Sequence, residues 1–312
     1  MTQLGPTNER ILVTGGAGFI GARLAGALLD DNDVAVLDSL VAGDRSTVPG
    51  DARFIEADLR DADALERAVA EADTVFHEAA VVSVARSVED PLESHAVNAE
   101  STLRLLEAAR RHDVRVVLAS SAAIYGHPES IPVGEPDRKE PTSPYGLEKL
   151  AADHYARLYH DLYGLDAVPL RYFNVYGPGQ SGGDYAGVIR VFVERALNDD
   201  PITVHGDGDQ TRDFVFVDDV VRANLAAATT DAVGEAYNVG TGESITIREL
   251  AELVRDLADA NSDIVHAEPR EGDIDRSEAD VSKARARLDF EPTVSIRDGL
   301  DRTVDWYRQR LD

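Results

Sequence analysis

The sequence contains no cysteine. Disulfides, thiol nucleophiles and cysteine-based metal sites are therefore excluded. The eight histidines are scattered, with no pair at metal-ligand spacing, so no metal is expected. Residues 1–10 have no apolar core, which argues against a secretory signal. No apolar run approaches the length that spans a bilayer. A cytoplasmic protein without a membrane partner is expected. Lysine is almost missing: the 31 basic residues include only Lys139, Lys149 and Lys283. Against them stand 58 acids, 36 Asp and 22 Glu, for a net charge of −27. A uniformly anionic surface repels phosphate, so nucleic acid is excluded as a partner. The acids are interleaved with apolar periodicity rather than gathered into solvated tails. That pattern suits a salt-adapted protein, whose self-repulsion is screened when the Debye length is short.

What is present is alternation. Strand-like segments at 10–14, 33–38, 52–57, 73–77, 115–119 and 166–171 are separated by helical patterns, notably 61–71, 92–112 and 145–163. With 312 residues to bury a full core, this order predicts an α/β fold with a doubly wound parallel sheet. After about residue 172 the alternation loosens into loops, short strands and helices. No internal repeat or low-complexity linker interrupts the chain.

The first strand, Arg10–Thr14, is apolar, β-branched and closed by glycines, as a buried parallel strand should be. A helix follows over 19–30, with Ile20, Leu24, Ala27 and Leu28 on one face. Gly15, Gly18 and Gly21 sit at the turn between them, spaced three and three. A plain tight turn could use the same glycines. Small residues there also let the backbone approach a pyrophosphate at a helix N-terminus. The second strand, 33–37, ends in Asp38. An acid about 20 residues past the glycines accepts bonds from ribose hydroxyls and repels a 2′-phosphate, which favours NAD over NADP. Residues 1–172 are thus read as an NAD-binding Rossmann domain. Residues 173–312 are read mostly as a smaller substrate lobe, with the chain returning to the sheet around 213–240.

Ser120-Ser121 lie at the carboxyl end of strand 115–119, where doubly wound sheets bind ligands. About 24 residues later comes Tyr145-Gly146-Leu147-Glu148-Lys149. Tyr145 and Lys149 are i and i+4 on one helix face. An ammonium beside a phenol stabilises the phenolate. A serine at the strand end can orient a substrate oxygen. The pattern describes an enzyme that takes a proton from a hydroxyl while a nicotinamide takes the hydride.

Taken together, these segments resemble the extended short-chain dehydrogenase/reductase family, the nucleotide-sugar epimerases and dehydratases. The resemblance runs essentially end to end. It rests on Thr14-Gly15-Gly16-Ala17-Gly18-Phe19-Ile20-Gly21, Asp58-Leu59, Phe76-His77-Glu78-Ala79-Ala80, Asn98, Ser120-Ser121-Ala122-Ala123-Ile124-Tyr125-Gly126 and Tyr145-x-x-x-Lys149. It continues in Arg171-Tyr172-Phe173-Asn174-Val175-Tyr176-Gly177-Pro178, in Gly206-Asp207-Gly208-Asp209-Gln210-Thr211-Arg212-Asp213-Phe214-Val215 and in Glu268-Pro269-Arg270-Glu271-Gly272-Asp273. Within the family the chain looks most like UDP-hexose 4-epimerases. Glu78 is a departure, because the family usually has leucine or another apolar residue there.

The resemblance implies that Ser121, Tyr145 and Lys149 are catalytic. It implies that Gly15, Gly18, Phe19, Ile20, Asp38, Asp58, Leu59, Ala79 and Asn98 hold NAD. Tyr145 and Lys149 would touch the nicotinamide ribose, and Tyr172 would pack near the nicotinamide. Asn174, Arg212, Arg270 and Asp273 would hold the nucleotide, the arginines on the diphosphate and Asp273 on the ribose. His77 is expected to line the cleft without catalysing. Dehydratases of the family carry Asp-Glu after the residue matching Ser121, and decarboxylases a Glu. This chain has Ala122-Ala123, and methyl groups do no acid–base work. The expected reaction is inversion at C4 of a UDP-hexose through a transient 4-ketose. A UDP-glucuronate epimerase, a dehydratase or reductase drawing acids from elsewhere, and a non-catalytic NAD-sensing scaffold stand as alternatives.

Ser277 falls where glucose-restricted members carry tyrosine. A serine there leaves room for an acetamido group, unless it is simply a loop residue facing solvent. The segments 83–91 and 183–189 also resemble those of N-acetylhexosamine epimerases. The expected partners are a UDP-sugar and a second copy of the chain, a homodimer formed through the helices at 92–112 and 145–163.

Overall fold

The structure, a computed structural model, describes residues 5–180, 187–270 and 272–311. Of the segments singled out in the sequence, residues 183–186 and Glu271 lie outside the described residues. The chain begins with β1 (Arg10–Thr14), α1 (Phe19–Leu28), β2 (Asp33–Asp38), β3 (Arg53–Glu56), α2 (Ala62–Ala70) and β4 (Thr74–His77). Next come α3 (Val84–Glu89), α4 (Pro91–His95), α5 (Ser101–His112), β5 (Arg115–Ser121), α6 (Pro144–Tyr163) and β6 (Ala167–Tyr172). The later part holds β7 (Asn174–Tyr176), α7 (Val188–Leu197), β8 (Ile202–His205), β9 (Thr211–Arg212), β10 (Phe214–Phe216), α8 (Val217–Thr229) and β11 (Tyr237–Val239). It ends with β12 (Ile245–Thr246), α9 (Ile247–Ala258), β13 (Ile264–Ala267), α10 (Ser282–Leu288) and α11 (Ile296–Leu311).

Side chains alternate across a strand, and here each face meets its own helix layer. Ile11, Val13, Val34 and Val36 pack with Leu24 and Leu28 of α1 and with α8. Leu12, Ala35, Leu37 and Val75 pack with α2, α5 and α6. With both faces covered, the strands must be apolar throughout, which is why they read as continuous hydrophobic runs. Seven strands pair in the order β11-β6-β5-β4-β1-β2-β3, all parallel. The seventh, β11, returns from the loosely patterned half of the chain, and α8 packs on α1. A separate core gathers Phe192, Val204, Phe214, Leu250 and Leu300 from the later elements.

Local chemistry sets the helix that carries Tyr145 and Lys149. Ser143 accepts a bond from the Gly146 N–H, Pro144 occupies the first helical position, and Gly164 ends α6 at φ +72°. The predicted helix over 92–112 is instead α4, a π-turn at Ala96–Glu100, and α5. Such a widened turn often marks a functional position, and Asn98 stands in it. No helix among the described residues is long and apolar enough to cross a membrane.

Candidate active site

The glycine turn is built for close approach. Gly15 adopts φ +70°, and a Cβ there would lie 2.6 Å from the Ala79 backbone nitrogen. A Cβ on Gly21 would lie 2.3 Å from the Gly15 carbonyl oxygen. No side chain caps α1 at Gly18, so its first N–H groups face the turn with the positive end of the helix dipole. Asp38, buried at the end of β2, accepts bonds from the Ala17 N–H at 3.0 Å and the Leu40 N–H at 2.8 Å. It therefore shapes the turn. This cradle fits a dinucleotide.

Other residues expected at the cofactor have work of their own. The Phe19 and Ile20 side chains pack against the second core, which leaves their backbone N–H groups for a ligand. Asn98 accepts from the Val81 N–H at 2.8 Å and donates to the Val81 carbonyl at 3.0 Å, fixing the segment after Ala79. Asp58 accepts from Arg60, which holds its carboxyl below the usual carboxylate range, and Leu59 is buried. His77 is buried and neutral, pushed down to about 3 by burial. Thr102 donates its one hydroxyl proton to the Asn98 carbonyl at 2.7 Å, so it accepts from His77 Nε2–H at 2.9 Å. His77 Nδ1 then accepts from Thr14 at 2.7 Å. With both nitrogens committed, His77 is structural.

Ser121, Tyr145 and Lys149 meet at the carboxyl end of β5. Ser121 accepts from the Ala123 N–H at 3.1 Å and lies close enough to the Tyr145 phenol to draw its pKa down. In register it sits beside Tyr172 of β6. Lys149 is buried and donates to the Ala119 carbonyl at 2.8 Å. Burial raises the Tyr145 phenol above its ordinary value, Ser121 pulls it back and Glu148 pushes it up. This differs from the expectation of a phenol lowered by the Lys149 ammonium: the phenol is raised, and Lys149 is not among the groups that act on it. The ammonium is itself drawn down to about 8 by burial and shared with Glu78 and Glu148.

On the substrate side, Arg212 donates to Asp273 and, at 2.7 Å, to the Thr211 carbonyl. Asn174 donates its side-chain amide to the Asp213 carbonyl at 3.1 Å. Ser277 is buried, and its N–H donates to the Thr211 carbonyl at 3.1 Å. It is thus adjacent to Arg212 rather than turned to solvent. Arg270 is exposed and its side chain makes no ion pair with a described residue, though its carbonyl accepts from the Asp273 N–H at 3.3 Å.

Three supporting groups escaped the sequence reading. Glu148 accepts from Ser94 at 2.6 Å and from Asn98 at 2.8 Å. A carboxylate beside a lysine on a helix reads as a surface pair, so nothing signalled its burial. Arg171, 1 % exposed, donates to Asp153 at 2.8 and 3.0 Å, tying β6 to α6 under the serines. A charge inside an apolar strand was the available clue. Asp213 gathers the Thr241 and Gly242 N–H groups, the Thr241 hydroxyl and the Ala279 N–H, and so frames Asn174 and Ser277.

Known proteins share this arrangement. The putative UDP-glucose 4-epimerase of Methanocaldococcus jannaschii is 39 % identical, over 96 % of this chain and 98 % of its own. The Thermus thermophilus UDP-glucose 4-epimerase, solved in complex with NAD, is 42 % identical with a TM-score of 0.89, over 96 % of this chain and 99 % of its own. The UDP-N-acetylglucosamine 4-epimerase of Methanobrevibacter ruminantium, in complex with UDP-N-acetylmuramic acid, is 36 % identical with a TM-score of 0.94, over 98 % and 100 %. Residues 11–240, which span every strand of the central sheet but the first residue of β1, match a single family description. With its glycine cradle, strand-end serine and Tyr-x-x-x-Lys helix, the chain belongs to the NAD dependent epimerase/dehydratase family.

Proposed function

We propose that this chain is an NAD-dependent epimerase that inverts C4 of UDP-hexoses, UDP-glucose and UDP-galactose, and also of UDP-N-acetylhexosamines. The carrying observation is Tyr145 and Lys149 on one helix, Lys149 bonded to the Ala119 carbonyl of the strand that ends in Ser121, with Ala122-Ala123 in place of acids after the serine. Bound NAD supplies the hydride acceptor and a positive charge near the phenol. The chain's own work is the proton. Tyr145, as phenolate, accepts it from the sugar 4′-hydroxyl, and Ser121 holds that oxygen. The same phenol returns the proton when the sugar presents its other face. The Lys149 ammonium favours the phenolate. Asn174, Arg212, Arg270 and Asp273 hold the nucleotide, which requires Arg212 to release Asp273.

One relative named for UDP-glucose and another for UDP-N-acetylglucosamine, together with a buried Ser277 beside Arg212, support the broad substrate range. Incubation with UDP-glucose, UDP-N-acetylglucosamine and UDP-glucuronate in molar KCl, read by NMR, tests it. The first two should give their C4 epimers at conserved mass, and loss of water would point to a dehydratase instead. Ser277→Tyr should depress turnover of the acetamido substrate far more than that of UDP-galactose. Equal effects would remove Ser277 from the pocket.

Two copies are expected to pair. Leu92 of α4 and Leu147, Leu158 and Leu162 of α6 are exposed apolar residues on the helices that face away from the sheet, and burying them supports a dimer. Light scattering coupled to size exclusion that returned the 33.7 kDa monomer mass would rule this out.

A further inference from the structure

Glu78 stands directly after the buried strand β4. Its Oε1 accepts from the Tyr172 hydroxyl at 2.8 Å. Its Oε2 is buried and has no hydrogen-bond partner. Buried acceptors are rarely left so without a reason. Asn224 meets the same phenol: its Nδ2 donates to the Tyr172 oxygen at 2.8 Å and to the Val220 carbonyl at 2.9 Å, and its Oδ1 is a rival acceptor at 3.1 Å. Glu78 is the nearer acceptor for the phenol proton.

Lys149 has the complementary shortage. An ammonium carries three donors, and this one makes a single hydrogen bond, to the Ala119 carbonyl. Two carboxyls act on it: Glu148 of its own helix, and Glu78, which the β4–β5 register (His77 beside Leu118) brings next to Ala119, whose carbonyl holds Lys149. Glu148 is held elsewhere, because its Oε2 accepts from Ser94 and Asn98. The unpartnered oxygen belongs to Glu78.

We propose that Glu78 is a positioning residue: aimed by Tyr172, its carboxylate is the counter-charge that keeps the Lys149 side chain an ammonium inside a buried site. The proposal rests on the reading of Lys149 as the cation that serves the Tyr145 phenol. Burial pushes Lys149 down to about 8 and Glu78 up to about 7, each partly offset by the other's charge. The other groups that act on them are Tyr172, hydrogen-bonded to Glu78, and Glu148, whose charge acts on Lys149 and Tyr145; the neutral His77 feels the Lys149 charge. Glu78 is therefore a carboxylate above about pH 7, and Lys149 an ammonium below about pH 8. Removing the carboxylate takes away a raising influence, so the ammonium is lost at lower pH.

The chain's three lysines make this measurable. Full-length protein labelled with ε-13C lysine should give three titrating resonances, and the one missing in Lys149→Arg is Lys149. In Glu78→Gln its midpoint should fall by roughly one pH unit, the effect of one close opposite charge. Glu78→Leu should fall equally, and covers the case where the glutamine variant does not fold. Glu78→Asp should recover part of the fall, while Lys139 and Lys283 stay put. A Lys149 midpoint unchanged in both the glutamine and leucine variants overturns the proposal. The readout is independent of turnover. A fallen midpoint in a protein without epimerase activity would uphold the proposal and sink the proposed function, and an unmoved midpoint in an active enzyme would do the reverse.

Discussion

At the scale of single residues, the sharpest division of labour lies between Tyr145 and its neighbours. Tyr145→Phe removes one hydroxyl from a site whose backbone is fixed independently: the Tyr145 N–H donates to Ser87, and Ser143 caps the helix. Folding and NAD affinity should stay nearly intact, while turnover falls by about 10²–10⁴-fold, the usual worth of a general base. Lys149→Ala should be as damaging and should also weaken NAD. Steady-state kinetics beside an NAD titration checks both, and a Tyr145→Phe variant that kept more than roughly a tenth of the rate would remove the phenol from its role. Tyr145, Lys149 and Ser121 could be singled out in the sequence because the chemistry proposed for them is carried by residue type and spacing. Glu148, Asp153 and Asp213 were not. A carboxylate's role depends on whether the fold buries it, and their partners Asn98, Arg171 and Thr241 lie 50, 18 and 28 residues away.

At the scale of elements, the strands that pair early were readable almost to the residue: β1 and β2 fall at 10–14 and 33–38 as their apolar runs predict. The seventh strand was legible only as a return of the chain around 213–240, because Tyr237–Val239 is three residues long and carries no period. The π-turn at Ala96–Glu100 was hidden inside an ordinary helical pattern. The glycine turn is the element whose sequence and geometry agree most closely, and it can be tested as such. Gly15→Ala forces a side chain into φ +70° and against the Ala79 backbone. That should cost about 1–3 kcal/mol, lower the melting temperature and weaken NAD. Gly50→Ala is the matched control, since a Cβ there meets nothing within 4 Å. Equal melting temperatures and equal NAD affinities for the two variants would show the turn to be tolerant, and would remove its claim to be a pyrophosphate cradle.

At the scale of the whole molecule, charge decides. The 58 acids exceed the 31 bases by 27, so pairing every base would still leave a large anionic surplus. The ion pairs that do form lie mostly at the surface, such as Arg10–Asp73, Arg53–Glu71 and Arg195–Asp200. Exposed pairs of this kind contribute only about 0–1 kcal/mol each. The surplus therefore acts as a field that favours expansion and opposes the compact state. Its strength depends on the Debye length, about 10 Å at 0.1 M salt and about 3 Å at 1 M. Raising KCl across that range should raise the melting temperature and the turnover together, with most of the gain complete once the Debye length is shorter than the spacing between neighbouring carboxylates. Sucrose at matched osmolality strengthens burial without screening charge, and should give a smaller gain at the low-salt end. A protein that was fully folded and most active in dilute buffer, or that responded equally to sucrose and KCl, would not be using its acidic surface as an adaptation to salt.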